Sequence, residues 1–195
     1  MIKRITATCL LSVPFAWAAE ATGLHQFCET RPHVVTRNMG WQEGCDSRCY
    51  SWKGEDGQES AKMEAVTDDK IEGNISHRFN IVRGWSRWIL EMNPDAHLVA
   101  DLSPYKQMVL SMKSASAKKW DSFAVMIGDG KNEFREQVSS LGFVADGAWH
   151  RCVIDLASVA KAGVDIAHVK SLLMIDWGGG VDKGDQFWID DVHFE

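Results

Sequence analysis

The stretch Asp185-Gln186-Phe187-Trp188-Ile189-Asp190-Asp191-Val192-His193-Phe194, just before Glu195, constrains this chain more than any other. Its aromatic and β-branched residues predict a β-strand. Two adjacent carboxylates sit in the middle of it, where acidic residues are disfavoured. Such a pair needs a cation or a network of hydrogen-bond donors to be tolerated.

The start of the chain reads as a secretory leader. Lys3 and Arg4 precede an apolar run from Ile5 to Phe15, and Ala16-Trp17-Ala18 supplies a small-x-small cleavage pattern. The run is too short for a membrane span, and no later stretch reaches that length. Residues 1–18 are therefore set aside as a signal peptide, and 19–195 are expected to form a single exported domain, secreted or periplasmic. Loss of Lys3 and Arg4 takes the formal net charge from −6 to −8. So acidic a domain is a poor partner for nucleic acid or anionic lipid.

Of five cysteines, Cys9 lies in the leader, which leaves Cys28, Cys45, Cys49 and Cys152. An even number in an oxidising compartment favours disulfides, and three connectivities are possible. The preferred one joins Cys45 to Cys49 and Cys28 to Cys152. A metal site with His25 near Cys28 is the rival, although the spacing fits no common zinc pattern.

Alternation along the chain predicts strands near 74–80, 88–92, 105–113, 123–127, 152–156 and 173–177, besides the last one. Trp88, Leu90 and Met92 share one face, and Ile89 and Glu91 the other. Turns fall at Asn93-Pro94-Asp95, Gly128-Asp129-Gly130, Asp146-Gly147 and Gly178-Gly179-Gly180. Only Ala157–Ala162 reads as helix. The fold class is all-β, a sandwich of two antiparallel sheets.

Three motifs in order sharpen this. Asp101-Leu102-Ser103-Pro104-Tyr105 leads into a strand, Trp149-His150-Arg151-Cys152-Val153-Ile154-Asp155-Leu156 forms another, and Ile189-Asp190-Asp191-Val192 closes the chain. Together they resemble the galactose-binding-like jelly roll of carbohydrate-binding modules, including the domain appended to some bacterial exo-β-glucanases. The likeness spans residues 60–195. It implies a non-catalytic module that recognises a polysaccharide or oligosaccharide, β-glucan-like chains above all, with a glycan-degrading enzyme as a candidate partner.

A sugar-binding surface needs indole faces for pyranose C–H groups and planar polar side chains for hydroxyls. Trp85 shares its strand parity with Arg87 and Glu91, so these three form the leading ligand-binding set. Trp177, before the glycine run, and Trp120, after Lys118-Lys119, are further candidates. Trp149 and Trp188 are expected in the core. Trp41 and Trp52 flank the Cys45–Cys49 loop, as a stapled mini-core or a binding rim.

Asp190 and Asp191 have opposite parity, which would aim one of them into the sandwich. The resemblance implies a structural Ca²⁺ held by a carboxylate of the closing strand, with Asp190 as ligand and Glu29 as partner. Backbone N–H donors are the alternative. Two other functions remain open: a jelly-roll polysaccharide lyase or glycosidase, for which Glu91 with Asp176 is the candidate carboxylate pair, and a structural or protein-binding envelope module.

Overall fold

The computed structural model describes residues 47–73, 75–92, 99–115, 120 and 122–195. The expected leader, Cys28, Glu29, Trp41 and Cys45 lie outside them.

The described chain is β1 (Ser47–Ser51), β2 (Ala61–Val66), β3 (Ser76–Ile81), β4 (Ser86–Met92), β5 (Gln107–Ser114), β6 (Phe123–Gly128), β7 (Glu133–Gln137), β8 (His150–Asp155), α1 (Leu156–Lys161), β9 (Ser171–Trp177) and β10 (Gln186–Phe194). One sheet runs β1-β4-β9-β6-β7 and the other β2-β3-β10-β5-β8. All neighbouring strands are antiparallel. This is the expected sandwich. Among the described residues no helix is long and apolar enough to cross a membrane.

Alternation drives the packing. Met108, Leu110 and Met112 of β5 and Phe123, Val125 and Ile127 of β6 are all fully buried between the sheets. Phe79 of β3 and Phe187 of β10 are register partners and stack at 4.5 Å, with their planes 3° apart. Each such side chain contributes roughly 1.5–3 kcal/mol by leaving water.

Two bulges adjust the alternation. Leu172 is the extra residue of β9, where Leu90 pairs with Leu173 but Glu91 with Ser171, and both leucines end up in the core. In β10 the register slips between Asp190 and His193, with Asp191 at φ 50°. The slip returns Val192 and Phe194 to the core. Neither aspartate therefore points between the sheets, contrary to the parity argument. Asp190 shares the outer side with Trp188, and Asp191 pairs with His193 Nδ1 at 2.9 Å.

The short polar motifs act as joints. Asp101 accepts the Ser103 N–H at 2.9 Å, which seats Leu102 in the core. Asp155 caps α1 by accepting from Ala157 and Ser158, each at 3.2 Å. Asp129 receives the backbone N–H groups of Asn132, Asp165 and Lys131, and these hold its carboxyl well below the usual carboxylate range. It thereby ties the β6–β7 turn to the loop before β9.

The three strands absent from the sequence reading, β1, β2 and β7, all stand at the end of a sheet among the described strands. In β2 and β7, Lys62, Glu64, Glu133 and Arg135 alternate with only a few apolar residues. A strand covered on one side only carries a weak hydrophobic signal.

Candidate functional site

Strand β4 turns Trp88 and Leu90 into the core and Arg87, Ile89 and Glu91 to the outer side of the first sheet. The register lays Asp176 and Met174 of β9 beside Arg87 and Ile89. Beyond them come Ala124 and Met126 of β6, and Met126 in turn pairs with Arg135 of β7. Ile89, Met126 and Met174 close into an apolar cluster separate from the main core.

Charged groups bind the cluster together. Arg87 grips Asp176 with two bonds, Nε to Oδ1 at 2.5 Å and Nη2 to Oδ2 at 3.3 Å. Its Nη1 reaches Glu133 at 3.3 Å and the Met174 sulfur at 3.7 Å. Arg135 donates from Nη1 to Asp176 Oδ2 and lies 3.5 Å from the Met126 sulfur. Burial by itself would depress the Arg87 guanidinium, but the Asp176 and Glu133 carboxylates outweigh it and leave it above its usual value.

Two indoles flank this floor. Trp52, just past β1, is 51% exposed, and Arg87 Cζ lies 5.2 Å from its ring centroid. Trp85, just before β4, is 84% exposed. Its position depends on glycine. A Cβ on Gly178 would lie 3.2 Å from Trp85 Nε1, and one on Gly84 would come within 2.6 Å of the Val181 carbonyl oxygen. The bare backbones let the Trp85 turn and the 178–181 turn approach closely.

The leading set Trp85, Arg87 and Glu91 thus sits at one strand and its entry, on the outer side. Trp177 and Trp120 do not join it. Trp177 is 1% exposed and donates its Nε1–H to the Arg83 carbonyl at 3.0 Å. Trp120 packs edge-on against Phe123 at 4.6 Å, inside the aromatic core. Parity puts Trp177 on the inner side of its sheet, and Trp120, which lies before β6, is packed into the core by its contacts with Phe123, Phe143 and Phe187, so no ligand can stack on either. Trp149 departs in the other direction. It is half-buried, with its Nε1–H donated to Asp69 at 3.0 Å. Trp188 is buried outside the core, on the outer side of the second sheet, beneath the Lys113 ammonium 5.4 Å away.

The sequence reading missed Trp52 as a firm member, and also Arg135, Glu133, Met126 and Met174. The alternation Glu133, Arg135, Gln137 around Phe134 was a usable signal for β7. No local signal could have brought the two methionines together.

A Ca²⁺ at Asp190 fits these residues poorly. Its Oδ2 accepts from Ile71 N at 2.6 Å and Glu72 N at 3.3 Å, and its Oδ1 from Asp191 N at 2.8 Å. A cation would have to displace those amides, and among the described residues no three His, Cys, Asp or Glu side chains gather to hold one. Cys152 is a free thiol, buried in β8, and burial pushes its pKa up to about 12. The other half of the expected Cys28–Cys152 staple, Cys28, lies outside the described residues. For hydrolysis, the pair Glu91 and Asp176 is compromised, because two guanidiniums already occupy Asp176.

A family model described as Carbohydrate binding domain 30 matches residues 36–195. Among solved structures, a family 30 carbohydrate-binding module of a cellulosomal cellulase of Clostridium thermocellum is 15% identical, with a TM-score of 0.55 over 75% of this chain and 90% of that one. A family 11 module from the same organism, in complex with a β-1,3-1,4-mixed-linked tetrasaccharide, is 10% identical, with a TM-score of 0.53 over 89% and 94%. The extra C-terminal domain of an exo-1,3/1,4-β-glucanase from a Pseudoalteromonas species is 18% identical, with a TM-score of 0.51 over 74% and 75%. At these identities the likeness is one of fold. No curated protein matches the chain.

Proposed function

From the premise that this chain belongs to the carbohydrate-binding domain 30 family, we propose that it binds a β-glucan-like polysaccharide on the outer side of the first sheet. The observation that carries this reading is the pairing of two exposed indoles, Trp85 and Trp52, with an apolar floor braced by Arg87 and Asp176. Indole faces suit the C–H side of a glucose ring, and the carboxylates and guanidiniums suit its hydroxyls. The mixed-linked tetrasaccharide on the family 11 module supports the same ligand class. Export by way of the 1–18 leader, and action beside a glycan-degrading enzyme, complete the proposal.

Affinity electrophoresis tests it. Migration should slow in gels containing mixed-linkage β-glucan and stay unchanged in gels containing an unrelated polymer such as dextran. Unchanged migration in every polysaccharide would leave the structural-module reading. New reducing or unsaturated ends after incubation would favour an enzyme.

A further inference from the structure

The charges on the outer side of the first sheet are arranged to cancel. Guanidinium is the side chain best shaped to grip a carboxylate, because its fork matches the two oxygens. Two of them on one sugar-binding surface would ordinarily favour uronic acids and other acidic glycans. Here the Arg87 fork is filled by Asp176 at 2.5 and 3.3 Å and its remaining nitrogen by Glu133, while Arg135 also spends a donor on Asp176. Asp176 is the pivot, since among the described side chains it alone is ion-paired with both cations, and its side chain is only 18% exposed.

The result is that both of these guanidiniums are neutralised in place. Among the described side chains of this surface, Arg87 meets Asp176 and Glu133 and Arg135 meets Asp176, so each of these two cations has a carboxylate against it. We propose that this surface selects uncharged polysaccharides against carboxylated ones, and that Asp176 sets the selection by neutralising Arg87 and Arg135 together. The proposal rests on the glycan-binding reading above and adds what that surface rejects.

The physical reason is an asymmetry between the two ligands. A hydroxyl can share the lone pairs and N–H groups of an existing ion pair without breaking it. A carboxylate can take the Arg87 fork only by displacing Asp176 or Glu133, and at Arg135 it must approach beside the Asp176 carboxylate and meets its repulsion. The Met174 and Met126 sulfurs, 3.7 and 3.5 Å from the guanidiniums, hold the cations against the sheet and limit their freedom to swing toward such a ligand.

Two cellulose ethers with one backbone provide the test: neutral hydroxyethyl cellulose and anionic carboxymethyl cellulose. Calorimetric titration of the full chain should show the neutral polymer bound and the anionic one bound at least about tenfold more weakly. Asp176→Asn keeps the shape and removes the charge that both cations need. It should narrow the gap about tenfold or reverse it, and the gain on carboxymethyl cellulose should vanish at high salt. Glu133→Gln, at a more exposed carboxylate that the fold can spare, should shift the ratio in the same direction by less, and it serves if Asp176→Asn does not fold.

The acidity of the whole chain does not imitate this result, because one charge in a net −6 barely alters its long-range repulsion. Equal binding of both polymers by the wild type, or a ratio unmoved by the folded variants, overturns the proposal while leaving glycan binding intact. A wild type that binds neither polymer, nor mixed-linkage glucan, removes the glycan-binding reading and this one with it.

Discussion

Arg87 and Trp88 are neighbours in β4, as are Asp176 and Trp177 in β9, yet each pair serves two different surfaces. Trp88 and Trp177 pass inward and are 2% and 1% exposed in the space between the sheets. Arg87 and Asp176 pass outward and lock together over the Ile89, Met126 and Met174 cluster. The interior is aromatic and closed. The outer side carries its charges as a fixed array and leaves Trp85 and Trp52 open at its margin. An indole is therefore structural or functional here according to its parity, and the number of tryptophans alone says little.

The second sheet makes the same point from the opposite side. Its outer surface also bears tryptophan, lysine and aspartate, but they are already engaged. Lys113 bonds Asp69 at 2.7 Å and lies over Trp188, and Asp69 also takes the Trp149 N–H. The backbone of Ile71 and Glu72 covers Asp190. What separates the two outer surfaces is their covering, since their residue types are much alike.

The contrast between interior and outer side can be broken most forcefully at Trp177. Trp177→Ala should cost about 3–5 kcal/mol of stability, measured by urea unfolding, because it empties a filled core position. The fraction still folded should bind glycan as the wild type does. Lost binding with unchanged stability would mean that this indole serves the ligand after all.

Acid should separate the two regions next. His77 faces the interior from β3, is 1% exposed, and is held down to about 4 because burial disfavours its charged form. The unfolded state, with its ordinary value near 6.5, takes up the proton first. Stability that is complete above about pH 6.5 should therefore fall by up to about 1.4 kcal/mol per pH unit as the pH drops towards 4, and should level off below that. The total is roughly 3 kcal/mol. Unfolding curves for wild type and His77→Gln at pH 7, 5.5 and 4.5 isolate this contribution by difference. Parallel losses in the two proteins would show that His77 contributes nothing to it.

The smallest expected change in energy belongs to the outer side. Trp85→Ala should weaken glycan binding by about 1–3 kcal/mol, since a stacking face is lost. At 84% exposure the ring adds little to the core, so the melting temperature should barely move. A variant that melts early and binds normally would invert the comparison at this residue.

Much of this was legible along the chain. The turn residues and the alternation from Trp88 to Met92 located most strands, and the short helix and the end of β10 fell where their residues indicated. The placement of Trp85 with Arg87 and Glu91 followed from parity alone. Parity also explains what failed. It assigns a residue to one of two sides without saying which side is covered, so Trp177 could read as a ligand contact, while Trp120 lies before β6 in a segment that no alternation governs. Trp149, one residue before its strand, is governed by the loop that supplies Asp69 and not by strand alternation.

The sequence by itself determined the local choices: where strands begin and turn, which residues share a side, and where a carboxylate would need donors. These depend on backbone sterics and on apolar periodicity, both of which act over a few residues. Only the tertiary structure decided that β9 lies between β4 and β6, and so that Asp176 meets both Arg87 and Arg135 and that Met174 meets Ile89 and Met126. Those partners are separated by dozens of residues in the chain. They meet because burying both inner faces fixes the strand order and register, and that requirement belongs to the whole sandwich rather than to any one segment.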